Sequence, residues 1–143
     1  MGLDLTLRDL QTELKNKGYP WERAKAFDNS CYLTPFVPID RDIDWQQIRF
    51  SLTLNGTLQQ LGLTGNMVFD VASLLENIRQ TFTLLPGDVV MTGTPAGVGA
   101  LRNGDHLVFD SSFGAAVSTR VVTSSATATA QQHQATHDIG GMT

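Results

Sequence analysis

Near the start of the chain an aspartate, an arginine and a glutamine, Asp4, Arg8 and Gln11, are followed by a lysine at Lys25. A carboxylate at a strand-to-helix junction is held by backbone on both sides and can present oxygens to a hard divalent cation such as Mg2+. Arg8 and Gln11, one and two helical turns further on, offer planar donors for a carboxylate or a carbonyl. Lys25 follows Trp21 by four residues; on a helical segment the indole would lie along the lysine stem and restrict its ammonium. Taken on spacing alone, the same residues read more readily as a solvated helix face.

The elements that must position these groups are well punctuated. Leu3, Leu7, Leu10 and Leu14 recur at helical spacing and predict a helix from about Thr6 to Lys17, with Asp4 just ahead of its start. Thr6 with Asp9 is a start signal, Gly18 a stop signal, and Pro20 blocks continuation. A second place for chemistry is Gly93-Thr94-Pro95-Ala96-Gly97-Val98-Gly99, where glycines permit close backbone approach and Thr94 adds a hydroxyl. Its glycines are wrongly spaced for a dinucleotide fingerprint, and no Gly-Lys-Ser/Thr completes a phosphate loop. By itself it reads as a turn between strands.

Between these blocks, residues 29–38 are expected to be irregular, with Pro35 and Pro38 in an extended loop. Asp40, Asp42 and Asp44 lack the glycine and glutamate of a calcium loop at the required positions, and read as a solvated turn before Trp45. Ile48, Phe50, Leu52 and Leu54 alternate with polar residues, and Asn55-Gly56 predicts a hairpin whose return strand runs from Thr57 to about Leu63. Asp70 or Ser73 should cap a helix to about Gln80, with Val71, Leu74, Leu75 and Ile78 inward. Pro86-Gly87 turns the chain into a short buried strand at Val89–Thr92. Asn103-Gly104 suggests another hairpin between Leu101 and a strand at His106–Phe109, with a last strand near Ala116–Val122.

The chain has 143 residues, 41% hydrophobic and 17% charged, which is enough for one domain with a core. A net charge of -4 gives no basic stripe for phosphates, so no nucleic acid partner is expected. Cys31 is the single cysteine, which fits a reducing, cytoplasmic location; no apolar run is long enough to span a bilayer, and no membrane partner is expected. From residue 123 to 143 the composition turns to Thr, Ser, Ala, Gln and His, which predicts a flexible low-complexity tail after a domain covering residues 1–122. His133, His137 and Asp138 could form a metal pair on a helix, but the segment has no periodic apolar residues to hold one.

Three blocks carry a resemblance: Leu-Asp-Leu-Thr-Leu-Arg-Asp-Leu-Gln at 3–11, Lys-Gly-Tyr-Pro-Trp-Glu-Arg-Ala-Lys-Ala-Phe-Asp at 17–28, and Gly-Asp-Val-Val-Met-Thr-Gly-Thr-Pro-Ala-Gly-Val-Gly at 87–99. In order and separation they resemble the C-terminal portion of the fumarylacetoacetate hydrolase family, nearest to its acylpyruvate hydrolases, from about Leu3 to Val122. The resemblance implies an α+β, predominantly β fold, a mixed β-sandwich roll that is incomplete at its N-terminus. It implies Asp4 as a ligand of Mg2+ (or Mn2+), Lys25 as the catalytic lysine, and Arg8, Gln11 and Thr94 as substrate-binding residues. The implied activity is metal-dependent hydrolysis of a carbon–carbon bond in acylpyruvates or related 2-oxo acids, as in aromatic catabolism, by a homo-oligomer, normally a dimer.

One departure matters. The family's Glu-x-Glu metal ligands and its His/Glu acid–base pair precede the Asp4 block, and Glu13, Glu22, Glu76, His106, His133 and His137 do not match them. Weak metal binding and impaired activity of the isolated chain are therefore expected, with self-association through uncovered edges. The alternatives are a non-catalytic binding or assembly module that keeps the fold and, within the family, an oxaloacetate decarboxylase or a 2-hydroxy-dienedioate isomerase.

Overall fold

The computed structural model describes residues 1–39, 42–114 and 116–123, and the backbone of residues 137–138. Strand β1, Gly2–Asp4, leads through Leu5 into β2, Thr6–Leu7, and directly into helix α1, Arg8–Asn16. The helix is thus shorter at its start than the leucine spacing predicts. The Thr6 start signal is not used, because no side chain caps the helix at Leu7. The stop signal is used: Gly18 adopts a φ of 66°, and the Gly18 and Tyr19 amides donate back to the Lys15 and Leu14 carbonyls.

A single 3-10 turn, Glu22–Ala24, follows, and then strand β3, Cys31–Leu33, pairs antiparallel with β1. The sequence predicts loop across 29–38. The difference comes from tertiary pairing, since β1 offers a free ladder to a short segment with no strand pattern of its own.

Strands β4, Arg49–Leu54, and β5, Thr57–Leu63, form the expected hairpin around Asn55-Gly56, whose φ values of 50° and 82° match the two positive angles such a turn needs. The Phe50 ring lies over Gly62, where any side chain would collide with it. A second 3-10 turn, Thr64–Asn66, precedes helix α2, Val71–Arg79, capped by the Asp70 carboxylate accepting from the Ser73 amide at 2.7 Å. Val71, Leu74, Leu75 and Ile78 are only half-buried. No strand forms at residues 89–92, and Val89 is exposed, so the expected buried strand is absent there.

Strands β6, Ala100–Leu101, β7, His106–Ser111, and β8, Val117–Arg120, complete the fold together with β9, His137–Asp138. The sheet orders are β1-β3, β2-β9-β6 and β5-β4-β7-β8. Asn103-Gly104 is therefore a turn between sheets rather than a hairpin: β6 pairs with β9, and β7 with β4 and β8. The Asp105 carboxylate closes this turn onto the Arg102 amide and also accepts from Asn55 across the neighbouring hairpin. Within the expected tail, residues 124–136 and 139–143 lie outside the described residues, His133 among them.

The core gathers where β1 meets the four-stranded sheet. Leu3, Leu52, Leu101, Leu107 and Phe109 are buried together, with Tyr32 stacked on Phe109 at a centroid distance of 5.5 Å. The sheets are open, and large apolar side chains such as Phe36, Val68, Phe69, Phe82 and Leu85 are exposed. No helix among the described residues is long and apolar enough to cross a membrane.

Candidate active site

The junction of β1, β2 and α1 places the first charged cluster. Leu3 is buried in the core, so its neighbour Asp4 points to the other face of the strand and stays partly open. Lys25, just past the first 3-10 turn, reaches back to it. Its Nζ lies 2.6 Å from Asp4 Oδ1 and donates to Thr6 Oγ1 at 2.8 Å. The two side chains are 25% and 35% exposed, a half-open setting in which an ion pair is screened less than at a free surface. Thr6 itself is 2% exposed.

The Thr6–Asp9 start signal predicts helix capping by this hydroxyl, which instead accepts from Lys25. A hydroxyl at a start position is ambiguous between the helix amides and any tertiary donor, and here the lysine ammonium takes it. Trp21 does not restrain Lys25 as the spacing suggested; the cation over its ring is Lys15, 5.1 Å from the centroid. The segment around Trp21 is too short a turn to stack the indole on a residue four positions later.

Arg8 and Gln11 come together one turn apart on α1, where Arg8 NH1 donates to Gln11 Oε1 at 3.1 Å. Gln11 is buried despite its polar side chain. Accepting from Arg8 fixes its amide orientation and turns its NH2 away from the guanidinium as a donor.

Thr94 lies on the glycine-rich loop, where its hydroxyl accepts from Gln60 Nε2 at 2.8 Å. The loop and β1 are neighbours, because a side chain on Gly2 would meet the methyl of Met91 at 3.1 Å. The structure thus brings Asp4, Lys25 and Thr6 into one bonded cluster and pairs Arg8 with Gln11, while Thr94 is bonded to Gln60. Gln60, read as an ordinary strand residue, is the second position that the sequence concealed.

Asp4 supplies one carboxylate. Among the described residues no group of three His, Cys, Asp or Glu side chains is placed to hold a metal ion. A hollow of about 730 Å³ lies elsewhere, along α2 between Phe69 and Gln80. Its one acid, Glu76, faces Arg79 at 3.6 Å, and nothing there matches the polar cluster at β1.

A family model described as fumarylacetoacetate (FAA) hydrolase C-terminal matches residues 1–122. Oxaloacetate tautomerase YcgM of Escherichia coli K12 is 47% identical over 125 residues, 85% of this chain and 56% of that protein. The mitochondrial oxaloacetate tautomerase FAHD1 of Rattus norvegicus is 42% identical over 105 residues, 73% of this chain and 48% of that protein. Among solved structures, fumarylpyruvate hydrolase from Pseudomonas aeruginosa in complex with Mn2+ and pyruvate superposes with a TM-score of 0.79 at 36% identity, over 86% of this chain and 53% of that one. The 5-carboxymethyl-2-hydroxymuconate delta-isomerase from Mycobacterium smegmatis gives 0.72 at 34%, over 85% and 46%. The chain spans about half the length of the curated relatives it matches. Sequence blocks, predominantly β fold and these likenesses agree, and the chain belongs to the fumarylacetoacetate hydrolase family.

Proposed function

We propose that this chain forms part of a divalent-metal-dependent active site for 2-oxo acids, and that its reaction is hydrolytic carbon–carbon cleavage of an acylpyruvate-like substrate. The observation that carries the reading is the Lys25 ammonium held between Asp4 and Thr6. It is supported by the likeness to a fumarylpyruvate hydrolase in complex with Mn2+ and pyruvate.

Asp4 fits a divalent ion as a single oxygen ligand. Mg2+ is commonly bound through one or two carboxylates, with water and substrate oxygens completing its octahedron, so this chain alone would hold Mg2+ or Mn2+ weakly. When bound, such an ion polarises the adjacent oxygens of a 2-oxo acid. Lys25 has three N–H groups; with two directed at Asp4 and Thr6, the third is available to an oxygen that gains negative charge during cleavage. The Arg8–Gln11 pair orients donors for the substrate carboxylate, and Thr94 borders the substrate from the glycine-rich loop. The cluster has no histidine or glutamate bonded into it among the described residues, and we assign the water-activating base to another stretch of polypeptide.

A second reading is tautomerisation of oxaloacetate, favoured by the names of the E. coli and rat relatives. It draws on the same groups without a hydrolytic water. The exposed apolar side chains support self-association, as a homodimer, and the single cysteine supports a cytoplasmic setting.

Assays of acylpyruvate cleavage and of oxaloacetate keto–enol exchange with Mg2+ test the reading. Turnover abolished by Asp4→Ala and by Lys25→Ala supports it, and the responsive substrate chooses between the two reactions. Oxalate binding without turnover of either substrate, once the polypeptide that carries the water-activating base is also present, would make the chain a binding module instead.

A further inference from the structure

The geometry points to Gln60 as the residue that positions Thr94, an inference that rests on the reading of this site as a 2-oxo acid site. Gln60 is 1% exposed, and its Nε2 donates to Thr94 Oγ1 at 2.8 Å and to the Pro95 carbonyl at 3.1 Å. A carbonyl only accepts, so the amide must present its nitrogen to the loop, and Thr94 must receive the bond through its oxygen. Among the described residues the amide oxygen, Oε1, is buried without a hydrogen-bond partner. Leaving a buried acceptor unbonded costs stability, which an apolar side chain of similar size in β5 would avoid. The amide is thus explained by what it holds rather than by the strand that carries it.

Strand geometry supports the same role. The β4–β5 register passes from Leu52 opposite Gln60 to Thr53 opposite Leu58, so Gln59 is the extra residue of a β-bulge. A bulge re-aims side chains, and here two consecutive glutamines both address the loop. Gln59 Nε2 donates to the Gly97 carbonyl at 2.6 Å. Gly97, at a φ of 103°, lies so close that a side chain there would collide with the Gln59 carbonyl oxygen. The loop is clamped at both ends, and the Gln60 end fixes the hydroxyl of Thr94.

The test is a double-mutant cycle on the full chain, with oxalate affinity in the presence of Mn2+ as the readout. Gln60→Met, which keeps bulk and removes the donor, should weaken oxalate binding by about 5- to 20-fold, the loss of one well-placed hydrogen bond. Thr94→Val should weaken it similarly, and the double variant should be no weaker than Thr94→Val alone. Gln60→Glu, which puts an acceptor against Pro95, serves as a second variant should Gln60→Met fail to fold. A general packing role would instead give additive losses, and that result overturns the inference. So does unchanged affinity in folded Gln60→Met or Gln60→Glu. Absence of oxalate binding in the unmodified chain would overturn the 2-oxo acid reading as well, and so is distinguished from failure of the Gln60 role alone.

Discussion

Lys25 and Asp4 lie 2.6 Å apart, nitrogen to oxygen, although twenty residues, a helix and a turn separate them in the chain. The contact exists because Leu3 anchors β1 in the core and α1 folds the chain back toward Asp4. What makes the lysine directional is the third member, Thr6, whose hydroxyl is supplied by backbone that β2 holds in place.

Replacing that hydroxyl by a methyl group isolates its contribution. Thr6→Val preserves shape at a buried position and removes the acceptor, so unfolding free energy should fall by about 1 kcal/mol while the fold persists. The Lys25 ammonium should then lose its fixed direction, and any turnover should drop through kcat more than through KM. Equal kcat in the variant would show that Asp4 alone orients the lysine.

Phe109 is fully buried and carries the stacked Tyr32 of β3, which joins the β1 ladder to the main sheet. Phe109→Ala should destabilise the protein by about 3–5 kcal/mol, measured by denaturant unfolding. Tyr32→Leu, which keeps apolar bulk but ends the ring stacking, should cost much less. A small effect at Phe109 would mean that the two sheets do not share this core.

Acid should weaken the hairpin ends. Hydrogen bonds from the Asn55 side chain and from the Arg102 amide hold the Asp105 carboxyl below its ordinary pKa. Because the folded value is depressed, the stabilisation is present above the unfolded carboxylate pKa and disappears as pH falls through the folded one. Asp70 behaves alike, held down by the Ser73 amide at the start of α2. Both groups lie at the surface, so each effect is modest. The Tm advantage of the native chain over Asp105→Asn should be visible at neutral pH and shrink below about pH 3.9. An advantage independent of pH would remove Asp105 from the account.

Val68, Phe69, Phe82 and Leu85 leave an apolar surface around α2. Sedimentation at micromolar concentration should show species larger than one chain, and Phe69→Ser with Phe82→Ser should shift them toward the monomer. A monomeric native chain would contradict the proposed association.

The legible parts of this fold were those governed by local rules. The alternation in β4, the Asn55-Gly56 turn, the Asp70 cap and the Gly18 stop each depend on a few adjacent residues, and each formed as expected. The misread parts depended on distant partners. Cys31–Leu33 became a strand only because β1 lay beside it, and Asn103-Gly104 failed to make a hairpin because its flanking strands joined different sheets. At the site, Asp4, Arg8, Gln11, Lys25 and Thr94 were singled out by their motif blocks. Thr6 and Gln60 stayed hidden because a short hydroxyl and a strand amide have many local uses, and only the tertiary fold selects one.

The central claim, that Asp4 and Lys25 face a divalent ion and a 2-oxo acid, is tested most directly by paramagnetic broadening of amide resonances with Mn2+ and oxalate, which detects even weak binding. Broadening should centre on residues 2–11, 24–26 and 93–97 and vanish in Asp4→Ala. Broadening centred elsewhere, or unchanged by Asp4→Ala, would contradict it.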